Sequence, residues 1–368
     1  MRKNIRKSQL LELSGSVAER AKFAGLDYHK LFVMVSIGDE DGEVLLRERI
    51  PTDKEALLKF FRQFPSLICV VESCRGYEWF VDFLKNDLRL DVFVCNPAAI
   101  KAFLSRTRSK SDRIDSDSLM ELLAKDFLPI CYVPTAAERE LREMLRWRCR
   151  LLRSATREKL RIHASLDKEN KGKKGNLFCA KNRHYLENVE LLNSTRREIM
   201  DEQLELVAVY EEMRKKYDKK VKHLATSDDA IRLMTLPGVA ELTALTLIAE
   251  IGDIRRFRNA KQLVKFVGLC PSIYESGSTR RTSGITKQGS SMLRWILVQS
   301  AWTAIRDADE IRVRYNSLVK RCGRKKAIVA IARRLLEMAF HILKDEVNYD
   351  WRQQVHVGAS SCRRLVQR

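Results

Sequence analysis

The chain has 368 residues, which is too long for one small core and suits two or three domains. Hydrophobic residues make up 45% and charged residues 32% of it. No apolar run reaches the length of a membrane span, and the basic N-terminus has no apolar stretch long enough for a signal peptide. These features argue against a membrane-spanning or exported protein and predict a cytoplasmic one.

The charge balance is strongly basic, with 69 Lys and Arg against 48 Asp and Glu and a formal net charge of +21. Such an excess favours polyanions, of which nucleic acid is the commonest in a cytoplasmic setting. A merely basic or ribosome-associated protein is the alternative. The nine cysteines form no C-x-x-C pair and the six histidines show no zinc-ligand spacing, so we predict reduced thiols and no zinc site.

Residues 20–128 alternate between strand and helix patterns. Three short strand candidates precede residue 51, with a tight turn from Gly38 to Gly42. Helical patterns at 53–64, 76–87 and 98–104 then alternate with apolar strand runs at 66–73 and 90–97. Three strands followed by helix–strand–helix–strand–helix predict an α/β domain with a ribonuclease-H-like fold.

Residues 135–225 form the middle region, which is predicted to be helical. Ala136 to Leu166 has helical spacing, and a Gly- and Lys-rich break follows at 168–176. Apolar residues then repeat every seven positions on two interleaved series: Ile199, Leu206 and Met213, and Tyr210, Tyr217 and Leu224. This spacing, with Gln203 as a polar interruption, predicts a coiled coil that dimerises or separates two domains. A long helix packed on its own domain is the alternative.

Residues 230–346 predict a mostly α-helical C-terminal domain. Pro237 and Gly238 separate two apolar helical patterns, as in a helix-hairpin-helix whose backbone N–H groups hold a phosphate. Pro-Gly turns between helices are common without that function. A polar loop rich in Gly, Ser, Thr and Arg comes next, and an apolar-striped helix begins near Lys287. Residues 347–368 are predicted to be a poorly ordered basic tail.

Four carboxylates in the first region are candidate metal ligands. Asp27 and Glu72 close two strand candidates, and Asp112 and Asp115 lie three apart at the start of a predicted helix, on one face. Oxygen ligands suit hard divalent cations, so Mg²⁺ or Mn²⁺ in phosphoryl transfer is the predicted cofactor. Helix capping and first-turn charge are the alternatives for the helical pair. Asp117 lies nearby but on a different face.

A basic run surrounds the helical pair of acids. Arg106, Arg108, Lys110 and Arg113 lie between residues 105 and 113. Such a run would bring a phosphate backbone to the bound metal, whereas a solvated loop is an equally simple interpretation.

Seven motifs together resemble one family, the insertion-sequence one-ten transposases, which includes the pilin-gene inverting recombinases. The resemblance covers about residues 22 to 345. The motifs are LDYHK, VVESCRGYEW, NPAAIKAF, KSDRIDSDSL, LPGVAELTALTLIAEIGDIRRF, FVGLCPSIYESGSTRRTSGITKQGSSMLRWIL and KAIVAIARRLLEMAFHIL.

The resemblance implies a Holliday-junction-resolvase-like N-terminal domain and a distinct C-terminal transposase domain. It maps an acidic tetrad onto Asp27, Glu72, Asp112 and Asp115. It further implies a serine nucleophile before the K-x-G motif, homo-oligomers (a dimer or a tetramer) acting on DNA, and guidance by a structured RNA that the element encodes.

Ser276 fits the nucleophile position best, with Ser278 and Ser283 as alternatives. A serine ester with a DNA phosphate would store the bond energy needed for rejoining. Nearby cations would steady the phosphate charge: Arg280, Arg281 and Lys287.

Two other functions compete with a transposase that cuts and rejoins DNA through a seryl intermediate. A metal-dependent, structure-selective endonuclease acting on Holliday junctions would use the four carboxylates alone. A non-catalytic nucleic-acid-binding scaffold would use the acids only as caps and surface charge.

Overall fold

The computed structural model describes residues 17–97, 112–172, 175–191, 193–276 and 279–350, and for residues 112–114, 273–276 and 279–283 it describes the backbone alone. The chain divides into two compact units, Met1–Val133 and Pro134–Arg368. The predicted finer division, into 20–128, 135–225, 230–346 and a tail at 347–368, stays a prediction.

A five-stranded sheet forms the centre of the first unit, in the order β3-β2-β1-β4-β5. The strands are β1 Phe23–Tyr28, β2 Phe32–Gly38, β3 Val44–Pro51, β4 Ile68–Glu72 and β5 Asp91–Cys95. The first three pair antiparallel, whereas β4 runs parallel to β1 and β5 parallel to β4. The predicted mixed α/β domain is therefore confirmed, including its three leading strands.

Among the described residues of the first unit, three helices separate or cover these strands: α1 Lys54–Phe61, α2 Tyr77–Asp82 and α3 Asp112–Ala124. Helix α1 begins where the Asp53 side chain accepts a hydrogen bond from the Ala56 N–H, and α2 continues as a π-helical turn, Phe83–Asp87. Apolar side chains of α1, α2 and the sheet, among them Phe61, Leu57 and Phe80, form one buried cluster. The predicted helix at 98–104 lies outside the described residues.

Helix α3 lies directly on the sheet at Gly25. A Cβ atom at this position would come within 2.0 Å of the Ser116 carbonyl oxygen and 2.6 Å of the Met120 nitrogen. Only glycine permits such an approach of the helix backbone to the strand. Ser36, the neighbour of Gly25 on β2, meets the Ser116 hydroxyl at 2.8 Å. These contacts fix the position of α3 along β1.

The second unit is built mainly from helices. They are α4 Ala136–Asp167, α5 Arg183–Asn188, α6 Ser194–Leu224, α7 Asp228–Met234, α8 Glu241–Ile251, α9 Ala260–Val267, α10 Ser291–Asp307, α11 Asp309–Cys322 and α12 Arg324–Asp345, with short 3-10 turns at Ala180–Asn182 and Ile254–Arg256. Helices α7 to α12 share one apolar core. Among the described helices, none combines the length and the apolar character needed to cross a bilayer.

The two longest helices, α4 and α6, pack against each other. Helix α6 buries Met200 and Val207 in a cluster with Ile162 and Leu166 of α4. The first predicted heptad series lies one position before these buried residues, and its members stay about half exposed: Ile199 48%, Leu206 43% and Met213 45%. The intrachain contact therefore uses a neighbouring stripe of α6, and the described chain does not cover the first series. In the second series Tyr210 and Tyr217 are partly buried and Leu224 is exposed.

The segment predicted as a polar loop after residue 270 is instead a β-hairpin. Strands β6 Pro271–Ser276 and β7 Thr279–Ile285 pair antiparallel, with Ser276 opposite Thr279. The loop prediction rests on the Gly, Ser and Arg content of this segment. Ile273, Tyr274 and the threonines, by contrast, favour an extended backbone. The prediction of a helix beginning soon after Lys287 is confirmed by α10, whose cap is Ser290.

Candidate active site

Asp27 and Glu72 leave neighbouring parallel strands at the same level. Leu26 of β1 pairs in register with Val71 of β4, so the next residue of each strand is one of these acids. Side chains alternate along a strand, so Asp27 shares the face of Gly25, which α3 covers. Glu72 likewise shares the face of Val70, which packs on Leu119 of α3. The two carboxylates therefore lie on one face, on strands about 4.8 Å apart.

Helix α3 begins at the same end of the sheet. It runs antiparallel to β1, because Met120 lies near Gly38, the partner of Phe23, whereas Ser116 lies at Gly25. Asp112 is the first residue of α3 and lies one helical turn before Ser116. Since Ser116 lies at Gly25, Asp112 is displaced from Gly25 along β1 in the direction of Asp27. The structure thus brings β1, β4 and the start of α3, which carry the predicted tetrad, to one edge of the sheet. The Asp112 side chain is outside the described set.

Asp115 and Asp117 of α3 differ in their surroundings. Asp115 is partly buried. Asp117 accepts hydrogen bonds from Arg47 Nε at 2.9 Å and from the Ser36 hydroxyl at 2.6 Å, which ties α3 to β2 and β3. Asp117 therefore has a structural role on a different face from the predicted ligands, and it offers a matched control for them.

Two cysteines near this edge have raised pKa values, in part because of the neighbouring carboxylates. Burial raises the pKa of Cys74, and the charges of Glu72 and Asp27 raise it further. Burial also raises the pKa of Cys95 to about 12, with Glu72 as the next contributor. Both cysteines stay protonated near neutral pH and are poor nucleophiles. Asp27 and Glu72 thus act on the same thiol, as expected of carboxylates that face one space.

His29 is a neighbour of Asp27 that the sequence analysis did not single out. Its Nε2 atom lies 3.0 Å from Asp27 Oδ2, and its ring stacks on Phe32 with centroids 4.5 Å apart. The Arg49 guanidinium lies 3.7 Å from the centre of the Phe32 ring. The sequence did carry a signal, because residues two apart on a strand share a face and LDYHK places a histidine two positions after Asp27.

The donor set at this edge fits a hard divalent cation. Carboxylate oxygens are the ligands that Mg²⁺ and Mn²⁺ prefer, and Asp27 and Glu72 supply them from one face. Of the side chains that the structure describes, no three His, Cys, Asp or Glu residues are grouped closely enough to hold a metal ion. A complete site would therefore need Asp112 as well.

The predicted nucleophile lies in the second unit, at the end of a strand. Ser276 is the last residue of β6, next to the turn of the hairpin. Its side chain and those of Arg280, Arg281 and Ser283 are outside the described set, as is the whole of Ser278. Ser290, close by in sequence, has a structural explanation, because its hydroxyl accepts a hydrogen bond from the Leu293 N–H at the start of α10.

The predicted nucleic-acid contacts are described only in part. Arg106, Arg108 and Lys110 lie outside the described residues, and the side chain of Arg113 does too. Lys287 is exposed. Gly238 has a φ of +75°, and a Cβ there would come within 2.2 Å of the Ser300 carbonyl oxygen. Close packing on α10 therefore accounts for this glycine, and its predicted phosphate contact stays a prediction.

Comparison with known proteins places both units in one family. Residues 24–170 match the DEDD transposase model of the IS110 type, and residues 230–316 match the model described as "Transposase IS116/IS110/IS902 family". Together these matches cover more than half of the chain, and they include both the carboxylate edge and the β-hairpin.

Individual relatives agree with the family models. The transposase for insertion sequence element IS1111A of Coxiella burnetii is 26% identical over 89% of this chain and 91% of its own length. The transposase for IS1328 of Yersinia enterocolitica is 24% identical over 75% and 82%. A pilin gene-inverting protein of Moraxella bovis is 29% identical over 33% of this chain and 38% of its own. The chain belongs to the IS110 family of transposases.

Proposed function

We propose that this transposase cuts DNA by transfer to Ser276 and rejoins it, with a divalent cation held by Asp27, Glu72, Asp112 and Asp115. The observation that carries the proposal is the convergence of β1, β4 and the start of α3 at one edge of the sheet. The family membership supports the same chemistry, because a transposase must break and re-form phosphodiester bonds.

The sheet topology supports a ribonuclease-H-like fold for the first unit. An antiparallel three-strand meander continues into two parallel strands, and a helix crosses the sheet at β1. In an open sheet with parallel strands, ligands bind beyond the carboxyl ends of those strands. Asp27 and Glu72 stand at these ends.

Mg²⁺ or Mn²⁺ bound by the acidic tetrad would polarise a phosphoryl oxygen and lower the pKa of a bound hydroxyl or water. The chain's own contribution is to fix the positions of the carboxylates. Asp27 leaves β1 beside Glu72 of β4, and Gly25 sets the distance from the sheet to α3. The His29 contact holds one oxygen of Asp27.

The proposed serine chemistry conserves the phosphodiester bond energy. Ser276 Oγ attacks a DNA phosphorus, so that a serine–phosphate bond forms while a phosphorus–oxygen bond to a sugar breaks and the departing oxygen takes a proton. A sugar hydroxyl of the new partner strand then attacks the same phosphorus and releases the serine. Arg280, Arg281 and Lys287 would offset the negative charge that builds up on the phosphoryl oxygens.

The proposed partners are element-end and target DNA and a structured guide RNA that the element encodes. The net charge of +21 supports polyanion binding. Within the first unit, Arg106, Arg108, Lys110 and Arg113 precede or begin α3 and would bring a phosphate backbone toward the carboxylates. Gly238 is proposed as a backbone contact in the second unit.

We also propose that the enzyme is a homo-oligomer, a dimer or a tetramer, joined through the coiled-coil seam of α6. Ile199, Leu206 and Met213 support this because each is about half exposed on one helix at a spacing of seven. Leu206→Lys should lower the mass measured by analytical ultracentrifugation, whereas Lys215→Glu on the same helix should not. An unchanged mass for Leu206→Lys would contradict this interface.

The decisive experiment is a denaturing-gel assay for a covalent protein–DNA adduct. The protein is expressed with its flanking element sequence, so that a guide RNA is available, and is incubated with labelled element-end DNA and Mg²⁺. We expect an adduct in the wild type that is lost in both Ser276→Ala and Asp115→Asn. Asp117→Asn is the matched control, because Asp117 sits on the same helix but pairs with Arg47.

The two competing functions give different results in this assay. Cleavage without an adduct, unaffected by Ser276→Ala, would indicate a hydrolytic, structure-selective endonuclease. DNA binding that persists with neither cleavage nor adduct under any metal would indicate a scaffold.

A further inference from the structure

A short loop connects the β-hairpin to helix α10, and its backbone is tied to the end of helix α9. We name residues 286–290 the lysine loop. The Thr286 N–H donates to the Cys270 carbonyl at 2.9 Å, and the Lys287 N–H donates to the Gly268 carbonyl at 3.2 Å. The loop therefore follows the chain that leaves α9, instead of extending freely from the hairpin.

Two glycines let this loop lie unusually close to its support. A Cβ on Gly268 would come within 2.3 Å of the Gln288 carbonyl oxygen, and a Cβ on Gly289 within 2.2 Å of the Phe266 carbonyl oxygen. Both glycines also have positive φ, +77° and +68°. The lysine loop is thus held by backbone-to-backbone contact from both sides, which leaves it little room to move.

Arg294 closes the same arrangement from helix α10. Its Nη1 atom donates to three carbonyl oxygens, those of Val267 at 3.0 Å, Gly289 at 3.1 Å and Gln288. Val267 is the last residue of α9, whose terminal carbonyls have no partner within the helix. One guanidinium therefore joins the end of α9, the lysine loop and the first turn of α10.

Lys287 is the second residue of this loop and is exposed. Its φ is +57°, in the left-handed region that disfavours side chains with a Cβ. Glycine would adopt this backbone more easily, as Gly268 and Gly289 do on either side. The Lys287 side chain therefore starts from a backbone that Arg294 and the two glycines hold in place.

We infer that Arg294 is a positioning residue that fixes the lysine loop so that Lys287 meets a DNA phosphate. The inference rests on the proposed function, which assigns Lys287 to the phosphate charge. The Arg294 Nη1 atom donates to three carbonyls, so through this atom Arg294 acts on the backbone of the loop. A purely structural role, in which Arg294 only satisfies the end of α9, predicts lower stability without any coupling to Lys287.

A double-mutant cycle on DNA affinity tests the inference. Binding of labelled element-end DNA, with its RNA where required, is measured by fluorescence anisotropy over a salt series for Lys287→Ala, Arg294→Met and the double variant. Lys287→Ala should weaken binding several-fold and reduce the slope of log affinity against log salt by about 1. Arg294→Met should do the same, and the double variant should be no weaker than either single one.

Arg306→Met is the matched control, because Arg306 lies on the same helix, is exposed and pairs only with its neighbour Asp307 among the described contacts. It should leave the salt slope unchanged. Urea unfolding accompanies each variant, and Arg294→Lys, which keeps the charge but not the planar donor, replaces Arg294→Met if the latter does not fold.

The outcomes separate the inference from the function on which it rests. Additive losses, or a normal salt slope in Arg294→Met when Lys287→Ala has a reduced one, would overturn the positioning role. A normal slope in Lys287→Ala would remove the phosphate contact itself. If the wild type forms no covalent adduct, by contrast, the proposed role of Ser276 as nucleophile is contradicted. That result would not alter these binding measurements.

Discussion

The contact of Gly25 with helix α3 makes a strong test of the carboxylate edge. In Gly25→Ala the new Cβ would lie 2.0 Å from the Ser116 carbonyl oxygen, whereas ordinary contacts begin at 3.4 Å. The Ser116 oxygen is a backbone atom and the new Cβ is bonded directly to the backbone of residue 25. No side-chain rotation therefore relieves the overlap. Helix α3 must therefore move away from β1 by more than about 1 Å.

This displacement should affect stability and catalysis together. Overpacking of this kind costs about 1–3 kcal/mol of unfolding free energy. Helix α3 carries Asp112 and Asp115, and a shift of about 1 Å in reacting groups can lower a rate about 100-fold. We therefore expect Gly25→Ala to lose adduct formation by a factor of about 100 at a temperature where it is still folded.

Gly38→Ala is the matched control. Its Cβ would also meet α3, but at the Met120 sulfur, 2.3 Å away, near the flexible end of a side chain, and its nearest backbone contact would be the Glu43 carbonyl oxygen at 3.1 Å. The thioether can turn aside while the helix stays in place, so a smaller loss of stability and near-normal activity are expected. Urea unfolding and the adduct assay measure both quantities. Equal behaviour of the two variants would refute the assignment of α3 as the element that fixes the site.

Three further results are expected. Gly238→Ala should destabilise the second unit by more than Gly323→Ala, because both glycines have positive φ but only the first would place a Cβ against a neighbour, at 2.2 Å from the Ser300 oxygen. The Gly323 backbone, with φ 78° and ψ 161°, lies in a region that favours glycine, so urea unfolding should give about 1–3 kcal/mol for Gly323→Ala and about 1–3 kcal/mol more for Gly238→Ala; equal losses would contradict the close packing. The backbone hydrogen bond from Glu43 lowers the pKa of Asp39 below its usual 3.8, helped by Arg20, so Asp39 stabilises the fold above that pH and loses this contribution as pH falls through its lowered pKa. Wild type and Asp39→Asn should accordingly differ in stability at pH 6, and the difference should shrink as the pH falls below 3.8, as followed by acid titration of the circular dichroism signal; a difference that grew on acidification would have the wrong sign. Cys74 and Cys95 should react slowly with a thiol reagent at pH 7 compared with an exposed cysteine, since burial raises the pKa of each, and rapid labelling of the native protein would show that this edge opens.

The order of strands and helices in the first unit could be predicted from the sequence because each element carries its own pattern. Apolar runs such as 68–72 indicate strands buried on both faces, and the turn from Gly38 to Gly42 is marked by its two glycines and the acids between them. The Pro-Gly break between α7 and α8 and the length of α4 follow from local signals in the same way. Local conformational preference is encoded within a few residues, so it survives without tertiary context.

The β-hairpin after residue 270 shows where composition misleads. Gly, Ser and Arg are frequent in loops, but pairing across the hairpin gives each residue from Ile273 to Ser276 a partner on β7. Strand propensity is a property of the pair and not of one segment. The family resemblance had marked this segment as functional but did not give its conformation.

The candidate carboxylates could be chosen from sequence, since acids at strand ends and a pair spaced by three on a helix are local features. What only the tertiary structure decided is that Asp27, Glu72 and the start of α3 share one edge and one face, because strand register and the approach at Gly25 are set by contacts between distant segments. The His29 contact with Asp27, the pairing of Asp117 with Arg47 and the three carbonyls held by Arg294 are of the same kind. Each contact depends on a separation between side chains that only folding sets. The sequence places His29 two positions after Asp27, but it does not fix the distance between their side chains.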